Sequence, residues 1–270
     1  MVKGLKGLPW AAHWTKRDVM KQISAIGFDL FNTLIIAQGD ALNDAVGRLI
    51  HSLHESGFEF ESGPFRKIHR EEAVGFIHRA NKEGLETHNS IWISAALKRF
   101  GYVVPPHDTR ISAAVDAYFS AFFDHCSLIP GTRGMLRVLS ERYRLGLLSN
   151  FTHAPAALGL ADHLGLRPFF DVVVISGELG FRKPHPMMFE RLVEGLKVSK
   201  GHMIYVGDDP ETDIIGAFEA GIQPVWMTYV RDHHLAAVPG YLSNAGELPG
   251  DDVPRISTWD DLFLFLDQWD

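Results

Sequence analysis

In the stretch IGFDLFNTLI, residues 26–35, a carboxylate stands where an apolar run gives way: Asp29, with Thr33 four positions on. Three more apolar runs lead into polar residues. LGLLS passes into Ser149 and Asn150, Lys183 sits in GFRKPHP after VVVI, and Asp208, Asp209 and Asp213 crowd VGDDPETD after MIYVG. Singly, each has a plainer role. Serine at a strand end is commonly a helix cap, Gly and Asp favour turns, and an acidic residue in a first helical turn complements the helix dipole. Together, if the runs are strands of one sheet, they bring a carboxylate, hydroxyls, a cation and a carboxylate cluster to one edge. Such a set can support a nucleophilic carboxylate with its charge held in place. Two residues after Asp29, where a second carboxylate would be a partner, stands Phe31.

The elements that must position these residues are legible as short continuous apolar runs. They are AIGFDLF (25–31), LGLLS (145–149), VVVI (172–175), MIYVG (203–207) and PVWM (224–227). Continuous rather than alternating, they fit parallel strands covered on both faces. Helical patterns intervene. RGMLRVLSER precedes the second run, and PMMFERLVEGL puts Met188, Phe189, Leu192 and Leu196 on one face. ETDIIGAFEAG closes at Gly221. The rhythm predicts an α/β fold, a doubly wound parallel sheet of Rossmann-like form.

Residues 37–128 carry no strand periodicity. Leu42, Val46, Leu49, Ile50 and Leu53 form a helical stripe, and three further segments, RKIHREEAVGFIHRANKEG, HNSIWISAALKRFG and HDTRISAAVDAYFSAFFDH, read as helices. An all-helical insertion, a cap domain over 37–128, is expected between the core segments 1–36 and 129–270. Leaving the carboxyl end of the first strand, it would cover the crevice where open parallel sheets bind ligands. The stretch from about 229 to 253 is rich in Gly, Pro, Asp and Asn and reads as a surface connection. PRIST and WDDLFLFLDQW then predict a last strand and helix.

DLFNTL, LLSN, KPHPMMF and VGDDPETDIIGAFEAG resemble the four ordered motifs of the haloacid dehalogenase superfamily. The resemblance covers roughly residues 23–35 and 131–230 and treats the helical insertion as that family's cap. It implies a hydrolase acting on a small phosphorylated metabolite. Asp29 would attack phosphorus and form an aspartyl-phosphate, which water then hydrolyses. Mg²⁺ would be held by Asp29, the Phe31 carbonyl and Asp208, with Asp213, joined by Asp209, in or next to the metal's shell. Thr33 and Ser149 would hold phosphoryl oxygens, and Lys183 would offset the accumulated charge. Phe31, Asn32 and Asn150 would border the substrate, with capping of the following helix as the other role for Asn150.

The sequence departs from the family's phosphatases at Phe31, where they carry an aspartate that protonates the leaving group. Losing a positioned acid costs about 10²–10⁴-fold. Three readings follow. A Mg²⁺-dependent phosphohydrolase would need a leaving group that departs unprotonated, or an acid from the cap, for which His69, His78 and His88 are candidates. In the phosphonate-cleaving variant, Lys67, Lys82 or Lys98 would form a Schiff base. A 2-haloacid dehalogenase without metal accommodates an aromatic at position 31, but Asp208 and the absence of an arginine in IIAQGDALND count against it. A non-catalytic member that binds a phosphate ligand is the third.

Composition bounds the partners. A net charge of −7 gives no electrostatic support for nucleic acid, and no run approaches the ~18 apolar residues of a membrane span. The single cysteine, Cys126, lies in an apolar context and reads as a buried structural thiol in a reducing compartment. The N-terminal segment makes a poor signal peptide, so a cytoplasmic monomer or homodimer is expected. Trp10 and Trp14 are expected to pack on the core or on a second subunit.

Overall fold

The computed structural model describes residues 23–235, 248–250 and 252–268. Trp10 and Trp14, with the rest of the first 22 residues, lie outside them. Strands β1 (Ala25–Phe28), β4 (Arg144–Ser149), β5 (Val172–Ile175), β6 (Met203–Gly207), β7 (Gln223–Met227) and β8 (Arg255–Ile256) form a parallel sheet. Their order is β5-β4-β1-β6-β7-β8. The chain builds outward from β1 on one side through β4 and β5, then crosses to β6 on the other. The carboxyl end of β1 is therefore the switch point at which such sheets open a crevice.

The central strands are largely apolar because both faces are covered. Ile26, Phe28, Leu145, Leu147, Ile204 and Val206 belong to one buried cluster; Ala25, Leu148, Met203 and Tyr205 belong to another. The alternation along each strand sorts the residues to the two faces. Helix α8 (Pro186–Leu196) covers the second face with the four residues the periodicity assigns, Met188, Phe189, Leu192 and Leu196, all fully buried. Each contributes roughly 1.5–3 kcal/mol by burial. The helix lies close: a side chain at Gly146 would come within 2.5 Å of Leu192.

Between β2 (Ile35–Ala37) and β3 (Cys126–Leu128) run four helices, α1 (Ala41–Glu55), α2 (Ser62–Glu83), α3 (Asn89–Lys98) and α4 (Thr109–His125). Glycine and aspartate punctuate two of them. Gly84 ends α2 in a left-handed conformation, and the Asp108 side chain accepts from the Arg110 N–H at the start of α4. Arg48 of α1 donates to Ser120 and Asp124 of α4.

Three details depart from the expectations. β2 and β3 pair antiparallel, so the chain leaves and re-enters the core through a two-stranded ribbon. Three-residue strands are too short to show a period of two. β1 ends at Phe28 rather than at residue 31, because the Leu30 carbonyl accepts from the Leu34 and Ile35 N–H groups in a turn that follows Asp29. ETDIIGAFEAG is not one regular helix: a π-helical turn, Pro210–Ile215, precedes α9 (Gly216–Glu219). The remaining elements are α5 (Thr132–Ser140), α6 (Ala154–His163), α7 (Ser176–Leu179), α10 (Tyr229–Asp232) and α11 (Trp259–Leu266). Cys126 is buried, and burial pushes its thiol up to about 12, as befits a packing residue.

Candidate active site

The sheet register brings the strand ends together. Phe28 is level with Leu147 on one side and Val206 on the other. Asp29 thus follows β1 level with Leu148 and Gly207, one residue short of Ser149 at the end of β4 and of Asp208 after β6. The Asp29 N–H donates to the Val206 carbonyl at 2.9 Å, which holds the residue at the edge.

Lys183 is the hub. Its ammonium, 2% exposed, donates to Asp29 Oδ1 and Asp213 Oδ1, each at 2.6 Å, and to the Tyr205 hydroxyl at 2.9 Å and the Leu148 carbonyl at 3.2 Å. Burial opposes its charge, but Asp213 and Asp29 outweigh it, and its pKa stays above the usual lysine value. Two-point bracing fixes the backbone of Lys183: it donates its N–H to Asn150 Oδ1 at 2.7 Å, and the Asn150 amide donates to its carbonyl at 3.1 Å. The Asn150 side chain is therefore committed to positioning Lys183, although the residue also borders the cavity described below.

Asp213 is set by the π-helical turn. Asp209 starts the turn, its carboxylate accepting from the Glu211 and Thr212 N–H groups. The Asp209 N–H in turn donates to Asp213 Oδ2 at 3.0 Å. The carboxylate presses so closely on the end of β6 that a Cβ on Gly207 would stand 2.4 Å from Asp213 Cγ. Only glycine leaves that room.

Carboxylate oxygens of Asp29, Asp208 and Asp213 lie within 4.8 Å of one another. Burial, with Asp213 adding to it, pushes the Asp29 carboxyl up to about 7 against the pull of Lys183. Asp208, half-buried, is raised well above the usual range by burial and then by Asp213 and Asp29. Three carboxylates face one ammonium, and an all-oxygen donor set with excess negative charge fits a hard divalent cation. Thr33, fully buried, directs its hydroxyl to Asp208 Oδ1 at 3.5 Å. Ser149 is 2% exposed at the end of β4. Asn32 adopts a left-handed φ of 58° and donates its N–H to the Ile35 carbonyl at 2.7 Å, closing the turn after Asp29; it does not line the cavity.

Phe31 faces the other way, into an aromatic wall. It stacks on Phe151 with centroids 5.6 Å apart and meets Phe122 edge-on at 6.0 Å. These rings line a cavity of about 110 Å³ between the helices of 41–125 and the sheet edge, together with Trp92, Tyr118 and Phe119. Its polar border is Glu86, Asn89, Asn150, Thr152 and Arg182. Glu86 is buried and accepts from Arg182 at 3.0 Å and from Ser176 at 2.5 Å.

None of the candidate cap acids or amines lines this cavity. His69 is 4% exposed between Phe65 and Tyr118, and burial pulls its pKa down to about 4. His78 is exposed, and His88 is within 3.2 Å of the Gly177 carbonyl. Lys67, Lys82 and Lys98 all point to solvent. Helical periodicity cannot tell a lid's inner face from its outer one, which is why these residues were open candidates. Sequence reasoning also passed over Tyr205, a phenol in a strand otherwise buried and apolar. Its hydroxyl needs a partner there, which is the signal that could have found it. Arg182 and Glu86 gave no such signal, being ordinary loop residues in sequence.

A parallel sheet whose switch point holds a carboxylate, a buried lysine and a carboxylate cluster is an α/β Rossmann-like fold with a candidate site at the strand ends. The chain belongs to the haloacid dehalogenase-like hydrolases, whose family model matches residues 23–221, and it is an enzyme of that hydrolytic class. It is 30% identical over 120 residues to the pyrimidine 5′-nucleotidase YjjG of Escherichia coli (strain K12), 44% of this chain and 52% of that protein. The match thus spans about half the length of that relative. It is 28% identical to human N-acylneuraminate-9-phosphatase over 239 residues, 85% of this chain and 94% of the relative. The fold superposes on a 2-haloacid dehalogenase from Pseudomonas syringae pv. Tomato DC3000 with a TM-score of 0.64 and 22% identity, covering 92% of this chain and all of that one. Among the described residues no helix is long and apolar enough to cross a membrane.

Proposed function

We propose that this enzyme is a Mg²⁺-dependent phosphohydrolase acting on a small phosphorylated compound through an aspartyl-phosphate on Asp29. The observation that carries the reading is the approach of Asp29, Asp208 and Asp213 within 4.8 Å while Lys183 binds two of them. Asp29 Oδ1 is held by Lys183, which leaves its other oxygen to attack phosphorus. Thr33 and Ser149 would hold the phosphoryl oxygens, and Lys183 would offset the charge that builds beside Asp29. Asp29, Asp208, Asp213 and the Phe31 carbonyl would hold the cation, which supplies neutralising charge beside the phosphoryl group. The phosphatase names among the relatives support the reaction type.

The division into a core of residues 1–36 and 129–270 and a cap of 37–128 belongs to the same proposal, as do a cytoplasmic location and a monomeric or homodimeric state. The Asp208 carboxylate beside Asp29 counts against carbon–halogen hydrolysis, since it would serve a cation that such chemistry does not need. The test is phosphate release from an aryl or acyl phosphate, expected to require Mg²⁺ and to vanish on EDTA treatment. Chloride release from 2-chloropropionate that persists in EDTA would replace the proposal with the dehalogenase reading.

A further inference from the structure

The cavity beside the site has a chemical character that the site itself does not. Its wall is Phe31, Trp92, Tyr118, Phe119, Phe122 and Phe151, with Leu42 and Ile77 behind. Its polar border is largely self-satisfied. Both Glu86 oxygens are taken, by Arg182 and the Thr87 N–H on one side and by Ser176 on the other. Asn150 holds the Lys183 backbone, the Thr152 hydroxyl donates to Asn89, and the Trp92 N–H donates to Thr87. One donor stands out: Arg182 is 8% exposed, borders the cavity, and its Nε has no hydrogen-bond partner. A polyhydroxylated substrate body would leave most of its hydroxyls unpaired here, each at about tenfold or more in affinity. A flat apolar body would gain the ring contacts instead.

We propose that the cavity selects phosphate esters of flat apolar hydroxyl compounds, aryl phosphates above all, that carry an acceptor group for Arg182 Nε. The inference rests on the phosphohydrolase reading above and names its substrate class. It also removes the need for a leaving-group acid at Phe31. An aryloxide leaves without a proton, so the position next to Asp29 is free to be wall rather than acid. As the Asp29 oxygen bonds to phosphorus, the ester P–O bond breaks and its electron pair stays on the aryl oxygen. Water then attacks the phosphorus of the aspartyl-phosphate, restoring the carboxylate and forming inorganic phosphate. The proton it releases to solvent balances the one the aryloxide takes up.

The experiment is kcat/KM of the full chain with Mg²⁺ on phenyl, 4-acetylphenyl and 2-naphthyl phosphate against glycerol 3-phosphate, glyceraldehyde 3-phosphate and a pyrimidine nucleoside monophosphate. Aryl esters are expected to exceed the polyol, triose and nucleotide esters by 10²-fold or more. Within the aryl series the rate should fall steeply as the leaving phenol becomes less acidic. Arg182→Lys should raise KM for the 4-acetyl ester several-fold more than for phenyl phosphate. Equal or greater turnover of the polyol, triose or nucleotide esters overturns the substrate class and leaves the phosphohydrolase reading standing. No turnover of any phosphate removes that reading and the substrate class with it.

Discussion

The strand-edge site and the cavity beside it share a boundary at residues 29–31 and are built on opposite principles. At the edge, charge is concentrated and interlocked: Lys183 binds Asp29 and Asp213, Tyr205 and Asn150 hold the lysine, and Gly207 makes room for Asp213. In the cavity, rings from distant parts of the chain meet, and the polar groups mostly bond to one another. Asp29 and Phe31 stand two residues apart and face one region each. On the proposed function, reaction and selection are separable: disabling the edge should leave what fits unchanged, and changing the wall should leave the edge intact.

The largest expected effect tests that separation. Asp29→Asn should lower phosphate release by about 10⁴-fold or more, as loss of a nucleophile does. Binding of an aryl phosphonate, followed through Trp92 in the cavity, should survive. If binding is lost together with turnover, the two regions act as one.

In helix α2, His69 provides a charge-free contrast to the edge. Its pKa is lowered by burial from 6.5 to about 4. The unfolded chain therefore takes up a proton below pH 6.5 that the folded chain refuses until about pH 4. The neutral-His contribution to stability is complete above pH 6.5, declines as the pH falls through this window, and levels off below it. The loss should approach about 3 kcal/mol. Thermal unfolding of wild type and His69→Leu at pH 7 and pH 4.5 measures it: the variant should show the shallower decline.

Phe31→Asp moves one residue from wall to edge. It should raise turnover of alkyl phosphates by about 10–10²-fold by supplying an acid. It should also cost about 1–2 kcal/mol in stability through the lost stacking on Phe151. Unchanged alkyl turnover in a folded variant would mean that another group already donates the proton. The smallest effect is expected for Tyr205→Phe, which removes one of the four acceptors around the Lys183 ammonium. A loss of about 1 kcal/mol in stability, with a kcat reduction below about tenfold, should appear in denaturant titration and steady-state rates.

Much of the edge was legible in sequence because its residues sit at strand ends, where an apolar run stops at a polar residue. Asp29, Ser149, Lys183 and Asp208 follow from that rule and from the spacing of the motifs. The packed face of α8 was legible for a similar reason, since one helical stripe reports one buried face. The β2–β3 ribbon was not, because three residues carry no period. The π-helical turn was not, because over six residues an apolar stripe does not separate an i→i+5 turn from an α-helix. The cavity was the least legible. Phe31, Trp92, Phe122 and Phe151 are separated by tens of residues, and nothing in a helical stripe says which ring faces a ligand and which faces the core.

The sequence by itself determined the α/β order of elements, the helical insertion after the first strand, and the residues able to do chemistry at the sheet edge. Local pattern carries these, since burial and strand ends leave a mark within a few residues. Tertiary structure alone decided that Asn150 braces Lys183 and that Tyr205 serves the lysine. It alone kept the histidines and lysines of helices α2 and α3 out of the cavity lining and enclosed Phe31 in an aromatic wall. Those outcomes depend on which side chains from distant segments arrive at the same place, and distance along the chain holds no record of that.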